Sequence, residues 1–152
     1  MEMGTIEREI RIDATPEVVY QVVSTPEHLK EWWPDEADRG AGSDAIRISF
    51  GGPSPDAKSE TLTVVEEDPP RRFSFRWIYD EGHSAASPQS LLVTFDLVPA
   101  GAGTLLRFSE TGYREKGWEG AVLEEQYRDH QTGWDHFLPR LVAYVDRLGA
   151  PA

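Results

Sequence analysis

The stretch Ile6-Glu7-Arg8-Glu9-Ile10-Arg11-Ile12-Asp13-Ala14-Thr15-Pro16-Glu17-Val18-Val19-Tyr20 changes its period halfway along. Up to Ile12 the isoleucines fall at even spacing between charged residues, the pattern of a half-buried strand with one wet face. From Thr15 the pattern is helical. A hydroxyl is available to the orphan amides, proline stands at the first helical position, and an acid lies in the first turn. Val18, Val19, Val22 and Val23 then supply the buried side. Thr25-Pro26-Glu27 repeats the start signal, so the spacing predicts a second short helix up to about Trp33, where Pro34 stops it.

Two-residue alternation returns further on. Asp35 to Gly42 is acidic and carries glycine, which reads as a loop, and Ile46, Ile48 and Phe50 then form the second strand. A hairpin follows from Gly51-Gly52-Pro53 to Lys58, and Leu62, Val64 and Val65 make the third strand. Asp68-Pro69-Pro70 turns the chain into Phe73, Phe75, Trp77 and Tyr79, four aromatics on one face that require a cover. A polar loop over Gly82 to Gln89 precedes Val93, Phe95 and Leu97. Gly101-Ala102-Gly103 is a hairpin turn, and Leu106 and Phe108 belong to the sixth strand. After Gly112 the period becomes helical, with a long amphipathic helix predicted over Trp118 to Leu148. Gly133 is expected where that helix approaches the sheet closely, and Pro139 where it bends.

Hairpin-joined strands are antiparallel, so these elements do not build a doubly wound sheet. The expected fold is α+β: a strongly curved antiparallel six-stranded sheet wrapped around a long C-terminal helix, with two short helices between strands 1 and 2. Such a sheet and helix leave a space between them of the sort where small ligands bind.

At 152 residues the chain has the length of one ordinary domain, expected to span residues 1–152. Its formal net charge of -12 repels phosphate backbones, so neither nucleic acid nor an anionic membrane is an expected partner. The absence of cysteine excludes a disulfide, a thiolate nucleophile and a zinc-thiolate site. No stretch reaches the roughly 18 apolar residues of a membrane-spanning helix, and the start Met1-Glu2-Met3-Gly4 is not a signal segment. A cytoplasmic location is the expectation.

No Gly-x-Ser-x-Gly elbow and no local Ser/His/Asp pattern points to nucleophilic catalysis. His130 and His136 stand six apart, on different faces of the closing helix, and not at the four-residue spacing of a helical metal pair; His28 and His83 lie elsewhere. Asp35-Glu36-Ala37-Asp38-Arg39-Gly40 has alanine and arginine where a calcium loop needs ligands. The glycines at Gly51-Gly52 and Gly101-Ala102-Gly103 sit in hairpins and cradle no phosphate. No metal, cofactor or assigned catalytic residue is therefore expected.

Two polar residues stand out. Glu110 continues the two-residue spacing of Leu106 and Phe108, which aims its carboxylate at the concave face; the alternative is a strand end that reaches water. His130 lies four residues before Trp134 on the same helical stripe and faces either the cavity or a backbone partner at the edge of the core. With Leu138, the aromatics Trp33, Phe50, Phe75, Trp77, Phe95, Phe108 and Trp134 complete the candidate ligand-binding set. A subset of these lines a pocket while the others fill the core.

The Pro16-Glu17-Val18-Val19-Tyr20 helix, the Thr25-Pro26-Glu27-His28-Leu29-Lys30-Glu31-Trp32-Trp33 segment, the run Asp68-Pro69-Pro70-Arg71-Arg72-Phe73-Ser74-Phe75-Arg76-Trp77 and Gly133-Trp134-Asp135-His136-Phe137-Leu138 carry a family likeness. Together they resemble the activator-of-heat-shock-chaperone-ATPase-like branch of the START-related helix-grip superfamily, SRPBCC, from Ile6 to Leu148. The resemblance implies a hydrophobic cavity and a small apolar or aromatic ligand, with a stress-related role in many small relatives. It also implies two alternatives: a cyclase- or hydrolase-type enzyme in which Glu110 or His130 handles a proton, and an interaction protein that docks on a chaperone. A homodimer is a further expected form.

Overall fold

The computed structural model describes residues 4–40, 42–51, 58–77, 90–113 and 120–148. The opening stretch folds as its period dictates. Strand β1 (Thr5–Ile12) buries Ile6 and Ile12 and wets Glu7, Glu9 and Arg11. Helix α1 (Pro16–Ser24) starts at Thr15, whose hydroxyl accepts from the Val18 amide at 3.4 Å. Val19, Val22 and Val23 of α1 are buried, while Val18 sits on its exposed side. Helix α2 (Pro26–Trp32) follows at once. Thr25 does not cap it as Thr15 caps α1, because its hydroxyl donates back to the Gln21 carbonyl at 2.7 Å and closes α1 instead.

The sheet is antiparallel throughout, in the order β1-β7-β6-β5-β4-β3-β2. Its remaining strands are β2 (Glu36–Arg39), β3 (Ala45–Phe50), β4 (Lys58–Asp68), β5 (Arg72–Trp77), β6 (Leu91–Ala100) and β7 (Gly103–Thr111). Among the described residues it therefore has seven strands where six were expected. The extra one is β2, inside the acidic segment read as a loop; it pairs with β3 from Glu36 opposite Ser49 to Arg39 opposite Ile46. An edge strand this short and charged carries no hydrophobic alternation to betray it. Val65, placed with Leu62 and Val64 in this strand, falls at a register shift between Val64 and Glu66 and is exposed. A bulge of this kind turns one side chain out of the alternation.

Helix α3 (Gly120–Leu148) covers the concave face. Its buried residues Trp134, Leu138, Leu141 and Val145 follow a four-three-four spacing that keeps them on one side. The helix runs through Pro139 as one element, with that residue on the exposed side. Beneath it Trp33, at the end of α2, lies against Phe75 at 5.9 Å between ring centroids and against Trp134 at 5.0 Å. Each large side chain buried this way contributes about 1.5–3 kcal/mol. Tyr79, His83, Trp118, the Gly82–Gln89 loop and most of the turn after Gly51 lie outside the described residues.

Candidate functional site

Leu106, Phe108 and Glu110 alternate along β7 onto one face, and all three are buried. The strand does not end in water at Glu110, since the residue has no exposed surface. Burying a carboxylate costs several kcal/mol unless hydrogen bonds replace its hydration. Four groups from three parts of the fold supply them. Trp77 of β5 donates from its indole nitrogen to Oε2 at 2.8 Å, and Trp134 of α3 donates to Oε1 at 3.0 Å. The Tyr113 hydroxyl donates to Oε1 as well, and His130 Nδ1 lies 2.9 Å from the same oxygen.

Each partner owes its place to local structure. Trp134 and His130 are one helical turn apart on α3, so both reach the same point of the sheet. Tyr113 returns to Glu110 because Gly112 turns the chain with φ +107°, where a Cβ atom would come within 2.8 Å of the Ser90 carbonyl oxygen. Burial, followed by the charge of Glu110 and the hydrogen bond to it, holds the Tyr113 phenol well above its ordinary value. With three groups already on Oε1, the carboxylate serves as an anchor between sheet and helix.

Above this anchor an opening of about 140 Å³ lies between α3 and the sheet. Its walls are aromatic: Trp33, Phe50, Trp77, Trp134 and Phe137. His130 and Asp129 supply its polar part, and Gly133 lies between them and Phe137 on the same helix face. Gly133 does not bring the helix close to the sheet, as the sequence suggested. A Cβ atom built on it meets nothing within 4 Å, so the missing side chain leaves space in the opening.

Of the residues expected to bind a ligand, Trp33, Phe50, Trp77, His130 and Trp134 line this opening. Phe75, Phe95, Phe108 and Leu138 are buried in the core and pack around it. Glu110 lies behind His130, joined to it by the Nδ1 contact. Phe137, Asp129 and the role of Gly133 escaped the sequence reading. The spacing 129, 133, 137 is a signal for them, since residues four apart share a helix face.

Larger depressions lie elsewhere, among them one of about 180 Å³ between α1 and the Pro69-Pro70 turn and two bigger still. One, of about 380 Å³, runs along the charged edge of β2 and β3; the other, of about 450 Å³, lies between α1 and the end of α3 and is lined by Val18, Gln21, His28 and Leu148. None of these is lined by a partner of the buried Glu110, whereas Trp77, His130 and Trp134 all line the opening at Gly133, and size alone does not make a site. Among the described residues no cluster of three or more His, Asp and Glu side chains is arranged to hold a metal ion. No described helix is long and apolar enough to cross a membrane.

Comparison with solved structures finds the same fold. A protein from Mesorhizobium loti aligns with a TM-score of 0.74 at 22% identity, over 96% of this chain and 99% of that one. The Aha1 dimer from Colwellia psychrerythraea gives 0.70 at 23% identity, over 93% and 95%. A protein of the dynemicin biosynthetic locus gives 0.69 at 19% identity, over 94% of this chain and 47% of its own. A comparison with curated proteins gives no match. The family model described as activator of Hsp90 ATPase homolog 1-like protein matches residues 13–146, most of the chain. The chain therefore belongs to the activator of Hsp90 ATPase homolog 1-like family, as its helix starts, its Trp32-Trp33 corner and its Gly133-Trp134 pair suggested.

Proposed function

We propose that this protein binds a small, largely apolar aromatic molecule between α3 and the sheet. The observation that carries this reading is the aromatic-walled opening of about 140 Å³ at Gly133, where a helix position leaves space that any other residue would take up. An apolar cavity of about 150 Å³ in an unrelated protein holds benzene, so the space suits one six-membered ring. A helix interior normally disfavours glycine by about 1 kcal/mol relative to alanine, a cost that an open ligand site explains.

The test is a thermal-shift series with single-ring aromatics on the wild type and on Gly133→Leu. Ligand at 100 times its dissociation constant stabilises the folded state by about 2.7 kcal/mol. The wild type is expected to show a concentration-dependent rise in Tm, and the leucine variant to melt higher than wild type without ligand and to respond to none. A wild type that responds to no ring compound, or a variant that responds equally, contradicts the proposal.

A further inference from the structure

We infer that the ring compound this opening takes carries a hydroxyl group that donates to His130 Nε2, making the ligand class a neutral phenol or enol. The inference rests on the ring-binding reading above and adds a polar contact to it. Imidazole has two nitrogens, and here Nδ1 is committed to the buried Glu110 at 2.9 Å. A carboxylate accepts hydrogen bonds, so the pairing assigns the hydrogen to Nδ1. In the neutral ring Nε2 is then the acceptor. It has no partner among the described residues, and it is on the far side of the ring from the anchor, on a residue that lines the opening.

The indoles bear on this choice. Of the three that line the opening, Trp77 and Trp134 already donate their N–H groups to Glu110, so these two offer a ligand ring faces and edges, and Trp33 adds an N–H donor and not an acceptor. Asp129, exposed at the opening, is the second ionisable side chain in the lining among the described residues. Its carboxylate disfavours an anionic ligand, as does the formal net charge of -12. A hydroxyl donor satisfies Nε2 without bringing a charge. Glu110 does not touch the ligand in this arrangement; it is a positioning residue that fixes the His130 tautomer and the orientation of its ring.

The experiment compares 4-fluorophenol, fluorobenzene and 4-fluorobenzoate by fluorine NMR titration of the full chain. Transfer from water to an apolar pocket favours fluorobenzene, so a preference for the phenol requires an acceptor inside. The phenol is expected to bind about tenfold tighter than fluorobenzene, and the benzoate no tighter than fluorobenzene. In His130→Phe the tenfold preference is expected to vanish, and in Asp129→Ala, which has no side-chain acceptor, to persist, which separates the two acceptors. Nitrogen NMR of the wild type is expected to show the His130 hydrogen on Nδ1.

Equal binding of phenol and fluorobenzene to the wild type overturns the hydroxyl inference and leaves the ring site standing. So does a preference for benzoate, a hydrogen on Nε2, or a preference that survives His130→Phe. Binding of none of the three overturns both the hydroxyl inference and the ring site.

Discussion

Glu110 shows how one side chain is fixed by the sum of its partners. Two indole N–H groups can only donate, so whatever stands between them must accept on both sides. Glu110→Gln replaces one acceptor oxygen by a donor, and a buried donor or acceptor left unmade costs about 1–3 kcal/mol. Urea unfolding is expected to show a loss in that range or above it, larger than for a typical exposed glutamate such as Glu7. Gly133→Ala has the opposite sign. Its new methyl meets nothing within 4 Å, and the helix gains about 0.5–1 kcal/mol, measurable as a higher Tm. The inward direction of Glu110 was legible in its spacing from Phe108. Its partners were not, because Trp77, Tyr113 and His130 come together through the sheet register and a turn at Gly112 that no local pattern encodes.

At the level of elements, β1 and α3 are tied by a two-pronged contact. Arg8 Nε donates to Asp135 Oδ1 at 2.8 Å and Arg8 Nη2 to Oδ2 at 3.1 Å. The hydrogen bond from Arg8, and then its charge, hold the Asp135 carboxyl below its ordinary value of 3.8. A depressed carboxylate stabilises the fold above its unfolded value and ceases to do so as the pH falls below about 4. Asp135 is more than half exposed, so solvent screening keeps the pair within about 0.2–1 kcal/mol. A double-mutant cycle of Arg8→Ala and Asp135→Ala at pH 7 is expected to give a coupling in that range, and at pH 3 a smaller one.

The elements differ in how plainly the sequence announced them. β1, α1 and β6 carry strong periods. β2 does not, because its place depends on backbone pairing of Asp35 and Glu36–Arg39 with β3 and on Arg39, which reaches Glu67 of β4 at 2.7 Å. The aromatic pattern of β5 was legible, whereas the bulge that exposes Val65 arises from a register shift against β5.

For the whole molecule, sheet and helix share one hydrophobic core that keeps two phenols neutral well into alkaline solution. Burial is the main cause for both, pushing Tyr20 up to about 12 and Tyr113 higher, with Glu67 adding at Tyr20 and Glu110 at Tyr113. A phenol whose folded value is raised contributes stability in full below its unfolded value near 10 and loses it as the pH rises from there through the folded value. Denaturant midpoints are therefore expected to fall from pH 10 upward, less steeply in Tyr113→Phe than in the wild type. The overall architecture was readable because helix starts, hairpins and a late helical period fix the order of elements. The opening was not, since its volume depends on Gly133 leaving space, and the same glycine in sequence suggests close packing.

The measurement that bears most directly on the ring site is an NMR titration of the tryptophan indole N–H signals with fluorobenzene. Trp33, Trp77 and Trp134 line the opening, whereas Trp32 is fully buried and donates to the Val22 carbonyl at 3.0 Å. Saturable shifts are expected for the first three and none for Trp32. Unmoved signals at Trp33, Trp77 and Trp134, or shifts no larger there than at Trp32, would contradict the ring site.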